Sequence, residues 1–236
     1  MKRVALISDI HGNAVALEAV LADIARRRVD EIACLGDVAA GGPQPREALE
    51  QLRALGCAVV RANADEWLLA TMPAEDDRRL REIVEWARGQ LTDADVAYLE
   101  SFVPTVELDL GKSRRMLCFH GSPRANSERL LATTPEQELA RFFAGAAADV
   151  LAGGHTHLQL ARRLGGSLLV NPGSVGLPFM PMPMPARSRR ARDACRVSPS
   201  TCEPEGRDRD GAASPPSWPT GRSASAGRES ASPPLG

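Results

Sequence analysis

The chain has 236 residues, a formal net charge of −1 and 43% hydrophobic residues. That length fits one to two domains, and the near-neutral balance gives no bulk electrostatic case for binding nucleic acid or an anionic membrane. No apolar run approaches the ~18 residues that span a bilayer, and Val4 to Ile7 is too short for a signal-peptide core before Asp9 interrupts it.

The first elements alternate. Val4–Ile7 is a short apolar run that reads as a buried strand. Leu17, Val20, Leu21 and Ile24 then recur at helical spacing, with Asn13 placed to cap their helix. Residues 31–35 form a second strand. Pro45 stands in the first turn of a helix carrying Leu49, Leu52 and Leu55, and Gly56 ends it. Residues 58–61 are a third strand. This order predicts a parallel sheet with right-handed crossovers. Residues 66–102 break the alternation with a helical insert. Leu80, Ile83, Val84 and Ala87 mark one helix, and Thr92 with Asp95 opens another. Because it follows Asn63, this insert is expected to overhang whatever Asn63 helps to form. Residues 105–110 and 115–119 flank Gly111-Lys112-Ser113-Arg114 as a β-hairpin. Residues 135–147 read as helix. Residues 149–152 and 167–170 read as strands, the second running into Asn171-Pro172-Gly173-Ser174.

Beyond Phe179 the text changes character. Met180-Pro181-Met182-Pro183-Met184-Pro185 cannot continue a helix or an inner strand. After Met184 the large apolar residues are Val197, Trp218 and Leu235, too few to offset the entropy of ordering the segment. The expected organisation is a folded domain over residues 1–180 and a low-complexity, disordered tail over 181–236. The same Arg/Pro/Ser/Ala/Gly text also fits a shifted reading frame in a GC-rich gene. Cys34, Cys57, Cys118, Cys195 and Cys202 show no CxxC pairing, and the first three fall in or beside strands. A cytoplasmic protein is the default reading.

All four histidines fall in three short motifs, each where a predicted strand ends. His11 is in Ser8-Asp9-Ile10-His11, His120 in Phe119-His120-Gly121, and the other two in Gly154-His155-Thr156-His157. Asp37 and Asn63 follow strands in the same way. Ligands of open α/β sheets sit at the carboxyl ends of the strands, so Asp9, His11, Asp37, Asn63, His120, His155 and His157 can converge on one rim. One cation takes about four to six ligands, some of them water. Seven protein ligands therefore fit two cations sharing a carboxylate, and Asp37 is the natural sharer. Two such cations clamp a phosphate and lower the pKa of a bridging water. Taken singly the motifs say less. Gly36-Asp37 is an ordinary turn, Asn63 reads as a turn or cap residue, and a lone His120 suits a core. The His155-Thr156-His157 pair is the strongest single element, because imidazoles at i, i+2 rarely serve packing.

Asp9-Ile10-His11, Gly36-Asp37, Asn63 with Asp65, His120-Gly121 and Gly154-His155-Thr156-His157 together resemble the calcineurin-like metallophosphoesterase superfamily. With Asn171-Pro172-Gly173-Ser174, the text is most similar to its small bacterial and archaeal phosphodiesterase branch. The resemblance covers about residues 1–178. It implies an α/β fold, a four-layer α/β/β/α sandwich, here expected to lack its C-terminal strands. It implies that Asp9, His11 and His157 hold one metal, that Asn63, His120 and His155 hold the other, and that Asp37 bridges them. Members of the family use manganese, iron, zinc, nickel or cobalt, and manganese is the first expectation here.

Two departures from the family pattern stand out. The third-strand motif, usually Gly-Asn-His-Asp or Gly-Asn-His-Glu, is Ala62-Asn63-Ala64-Asp65. The histidine credited with protonating the leaving group is thus Ala64, which has no proton to give, and positioned acid catalysis is worth ~10²–10⁴-fold. Ala62 in place of glycine matters only if that backbone needs positive φ. No catalytic side chain is expected beyond the metal-activated hydroxide. Arg124 could reach a substrate phosphate, or be an ordinary solvated arginine. Ser122 and Ser174 read as turn residues. The expected activity is a metal-dependent phosphoesterase acting on a small phosphoester, a phosphodiester before a phosphomonoester or phosphoprotein. The alternative is a non-catalytic metal-binding scaffold, as in the retromer subunit that shares this fold.

Overall fold

The computed structural model describes residues 2–70 and 78–179. In chain order the elements are Val4–Ile7 (β1), Ala14–Ala25 (α1), Glu31–Cys34 (β2), Pro45–Leu55 (α2), Ala58–Val59 (β3), Asn63–Leu69 (α3), Arg78–Gln90 (α4), Asp93–Glu100 (α5), Val106–Gly111 (β4), Arg114–Cys118 (β5), Glu136–Phe142 (α6), Val150–Ala152 (β6), Leu160–Leu164 (β7) and Ser167–Asn171 (β8).

The helix boundaries follow their caps. Asn13 Oδ1 accepts the Ala16 N–H at 3.0 Å and starts α1. Pro45 opens α2 and Gly56, at φ 65°, closes it. Thr92 and Asp95 exchange hydrogen bonds at the start of α5.

Two parallel ladders set the architecture. β1, β2 and β3 form a three-stranded parallel sheet in that order. The second sheet runs β4-β5-β6-β8-β7, with β5, β6 and β8 parallel and the outer pairs antiparallel. Side chains alternate between faces along a strand. In β2, Ile32 and Cys34 therefore point toward α1 and α2, while Ala33 and the following Leu35 point toward the other sheet. In the second sheet, Met116, Cys118, Val150 and Ala152 meet Ala33, Leu35 and Val60, whereas Leu117, Leu151 and Leu169 face Leu139 and Phe143 at α6. Three apolar interfaces separate four layers, helices over sheet over sheet over helix.

Four readings of the sequence need correction. Asn63 follows β3 as expected, but it also begins a helix, α3, that the sequence reading did not contain. Ala62 takes the extended N-cap position at φ −110°, and Asp65 accepts its N–H. β3 has only two paired residues, and Val60 continues as an isolated bridge to Val103. α6 stops at Phe142, five residues short of the expected end. β7 is an additional strand. Its Arg162-Arg163 pair breaks the apolar alternation, which an edge strand tolerates.

The insert packs on α2 and α3, with Val84, Ala87 and Leu99 joining the core of Leu49, Leu52 and Leu68. Its described helices form part of the helical layer, and residues 71–77 of the insert, on which the expected overhang also bears, lie outside the described residues. The tail over 181–236, and with it the expected loss of C-terminal strands, lies outside the described residues. Among the described residues no helix is long and apolar enough to cross a membrane.

Candidate metal centre

Parallel strands release their chains at the same end, so the loops after β1 and β2 emerge side by side, as do those after β5, β6 and β8. Backbone hydrogen bonds join neighbouring loops within each set. The Asp9 N–H donates to Gly36 O at 2.9 Å, and the Gly154 N–H to His120 O at 2.8 Å. Across the sheets, the His155 N–H donates to Asp9 Oδ1 at 3.2 Å. The contact is close: a Cβ on Gly154 would stand 2.1 Å from Ser8 Oγ and 3.1 Å from Asp9 Oδ2. Only glycine fits there.

The rim brings the predicted side chains together in two groups. Ligand atoms of Asp9, His11, Asp37 and His157 lie within 4.8 Å of one another, as do those of Asp37, His120 and His155. Asp37 belongs to both. Its Oδ2 is 3.3 Å from His120 Nε2 and 3.7 Å from His11 Nε2, while Oδ1 accepts the Ala64 N–H at 2.9 Å. His157 Nε2 is 3.4 Å from Asp9 Oδ1. Asn63 lies in the first turn of α3, nine-tenths buried, with Oδ1 unpaired.

The backbone at these positions is unusual. Asp9, His11, Asp37, His155 and His157 have φ of 55°, 49°, 54°, 69° and 56°. Asp and His tolerate this left-handed region better than most residues, but each instance costs energy that the surroundings must offset. The strain falls on ligand positions and turns the side chains into the rim.

Three imidazoles are oriented from behind. Nδ1 of His11 donates to Ala40 O at 2.7 Å, that of His120 to Leu35 O at 2.7 Å, and that of His157 to Leu177 O at 2.5 Å. A neutral ring with its proton on Nδ1 presents a bare lone pair at Nε2. His11 Nε2 and His157 Nε2 then face each other at 3.0 Å, lone pair to lone pair. A shared cation removes that repulsion. Asp9 Oδ2, Asn63 Oδ1 and His120 Nε2 are buried without a hydrogen-bond partner. Such groups typically cost ~1–3 kcal/mol each. This donor set of imidazole, carboxylate and carboxamide oxygen suits a divalent transition ion.

The electrostatics agree. Burial opposes a charge on Asp37, but His120, His11 and the Ala64 N–H hold its carboxyl below the usual carboxylate range. Burial pushes the Asp9 carboxyl up, against the pull of His120. For His120, burial opposes the proton but the Asp37 carboxylate prevails, pushing it up to about 9. Burial, with the neighbouring His120 charge, pushes His155 down to about 4. Asp65 is pushed up to about 7 by burial and by Asp37.

Other predicted residues fare differently. Ala62 is extended, so the absent glycine imposes no strain. Ala64 is 2% exposed and packs in the helix-side core, so an imidazole there is expected to cost about 1–3 kcal/mol in overpacking. The Arg124 guanidinium pairs with Glu128 and lies over the Phe142 ring at 5.3 Å. Its Nη2 is engaged by Glu128, while the side chain stays half exposed. Ser122 is likewise bonded to Glu128 and holds the turn at Ala125.

The site includes two features the motifs did not assign. One is Asp65, whose buried carboxylate accepts the Asp37, Val38 and Ala62 N–H groups. The other is the strap over residues 171–177. Ser174 Oγ donates to Asp9 O and accepts the Leu177 N–H. The Val175 and Gly176 N–H groups donate to Ser8 O and Asp9 O. Asn171 ties Gly154 O and Thr156 Oγ1. The cue was Asn-Pro-Gly-Ser after a strand, which spacing alone reads as a turn.

The calcineurin-like phosphoesterase superfamily domain matches residues 1–186. A metallophosphoesterase from Sphaerobacter thermophilus superposes with a TM-score of 0.63 at 31% identity, covering 75% of this chain and 78% of that one. A hypothetical protein from Pyrococcus horikoshii shares the fold, with a TM-score of 0.68 at 21% identity and coverage of 75% and 78%. An uncharacterized protein of Methanocaldococcus jannaschii is 30% identical over 191 residues, 74% of this chain and 76% of its own. Two sheets meeting at a strained rim of histidines and carboxylates thus agree with the sequence match, and the chain belongs to the calcineurin-like phosphoesterase superfamily.

Proposed function

We propose that the protein is a metal-dependent phosphoesterase acting foremost on phosphodiesters, with two divalent ions, manganese first among them. The observation that supports this reading is the pair of ligand groups sharing the Asp37 carboxylate. In it Asp9, His11 and His157 hold one ion, Asn63, His120 and His155 the other, and Asp37 both. Bound ions would neutralise a phosphate and lower the pKa of water between them toward neutrality.

The chain's own residues supply orientation. The carbonyls of Ala40, Leu35 and Leu177 keep the ring protons at Nδ1, so that Nε2 of His11, His120 and His157 faces inward. The Ala64 N–H occupies Asp37 Oδ1 and leaves Oδ2 toward the imidazoles. Ala64 has no proton for a departing oxygen, which favours substrates whose leaving group needs none. A small phosphoester met in the cytoplasm completes the reading, and the free thiols of Cys34, Cys57 and Cys118 suit a reducing compartment.

The test compares a nitrophenyl diester with an alkyl diester, with and without manganese. The aryl ester is expected to turn over faster by about 10²-fold or more, since general-acid help of ~10²–10⁴-fold is absent. A folded protein that cleaves neither ester with manganese, iron, zinc, nickel or cobalt would make the non-catalytic scaffold the better reading.

A further inference from the structure

Two carboxylates bind the loop after β2 to the first turn of α3, one in each direction. Asp37 reaches forward, its Oδ1 accepting the Ala64 N–H at 2.9 Å. Asp65 reaches back. Its Oδ2 accepts the Asp37 N–H at 3.0 Å and the Ala62 N–H at 3.2 Å, and its Oδ1 accepts the Val38 N–H at 2.9 Å. Asp65 is fully buried, and among the described residues it has no ion-pair partner. Its two oxygens are met by three backbone N–H groups.

A helix cap needs only one of these bonds, the one to Ala62. The other two leave the helix for residues 28 and 27 positions earlier. They hold Asp37, which sits at φ 54°, against the backbone's preference for negative φ. The two segments also touch directly. A Cβ on Gly36 would stand 2.5 Å from the Ala62 Cβ and 2.6 Å from Val60 O. Three converging N–H donors demand a group that only accepts. An asparagine of the same shape would turn an NH₂ toward at least one of them and leave that N–H without its bond.

We propose that Asp65 is the positioning residue of the shared ligand, fixing the left-handed Asp37 so that one carboxylate is presented to both halves of the centre. The proposal rests on the two-ion reading above, and its test separates the two. Asp65→Asn is compared with the parent in two states. In the metal-free protein, amide hydrogen exchange reads the loop, and protection of the Asp37 and Val38 amides is expected to fall about tenfold or more, while β1 and β2 keep theirs. In manganese-loaded protein, electron paramagnetic resonance reads the geometry. The parent is expected to show an exchange-coupled pair, and the variant at least one bound ion without that coupling.

Unchanged protection at Asp37 and Val38, or a coupled signal equal to the parent's, would overturn the assignment of Asp65. Where Asp65→Asn does not fold, Asp65→Glu replaces it. Its displaced acceptor is expected to keep the fold and lose the coupling, and retained coupling overturns the proposal. A parent with no manganese pair overturns the two-ion reading instead, and the exchange measurement alone then decides whether Asp65 sets the Asp37 backbone.

Discussion

In one half of the centre, His11 and His157 are both held at Nδ1 by a backbone carbonyl, and Asp9 beside them is buried under the strap. In the other half only His120 is held that way, by Leu35 O. The His155 ring is half-buried, and among the described residues no hydrogen bond restrains it. Its neighbour Asn63 sits on a seven-residue helix rather than on a strand. The first half is therefore formed before any ion arrives, whereas the second must gather a freer ring and discharge a proton. Preorganisation of the supporting groups is what sets metal affinity when the ligands are alike. On the two-ion reading, the same fold would offer a stronger and a weaker seat, joined by Asp37.

The largest effect should come from breaking the joint. Asp37→Ala removes a ligand from both groups, and turnover of an aryl diester is expected to fall by about 10³-fold or more. Elemental analysis should find no ion pair. Two ions retained with near-parent turnover would show that the halves do not share Asp37.

A second comparison weighs the halves against each other. His155→Ala is expected to weaken only the second ion, by about 10–100-fold, leaving one ion tightly bound. His157→Ala should instead cost the first. Manganese titration followed by calorimetry distinguishes them. Equal losses from the two variants would remove the asymmetry argued here.

A further effect is one of pH. In the metal-free protein burial opposes a proton on His120, but Asp37 raises its pKa to about 9. That ring can take an ion only by releasing the proton. Below that pH the apparent affinity of the second half should rise with pH, by about tenfold per unit for one displaced proton. It should flatten once His120 is neutral without metal. Uptake measured at pH 6.5, 7.5 and 8.5, in buffers of different ionisation enthalpy, checks both the slope and the released proton. An affinity independent of pH over that range would mean that His120 is not a ligand.

Much of this architecture was legible because local chemistry marks it. Asn13, Pro45, Gly56 and Thr92 announce their helix ends, and the short apolar runs at Val4–Ile7 and Val150–Ala152 read as buried strands. α3 was hidden because its cap position is Ala62, a residue without a side-chain acceptor, and the capping carboxylate lies three residues on at Asp65. β7 was hidden because an edge strand need not alternate. At the site, residue types showed which side chains could converge on a metal. They could not show that Asp9, His11, Asp37, His155 and His157 take left-handed backbone, since that conformation is imposed by contacts far apart in sequence. Nor could they show that Arg124 is engaged by Glu128 and Phe142. Ala64 was read as a missing acid, and the structure adds that its place is already filled by core packing.

The strap has a consequence for the order of assembly. The last candidate ligand along the chain is His157, yet the carbonyl that aims it belongs to Leu177, and the hydroxyl under Asp9 belongs to Ser174. β6, which carries the loop to His155 and His157, also lies between β5 and the later β8. A chain emerging from the ribosome therefore exposes its full set of imidazoles and carboxylates before it can hold them in place. Pairing of such distant segments is slow compared with local helix formation. The His157 ring is the last to be aimed, since its carbonyl arrives with the segment through Leu177, whereas His11 and His120 are aimed by the earlier Ala40 and Leu35.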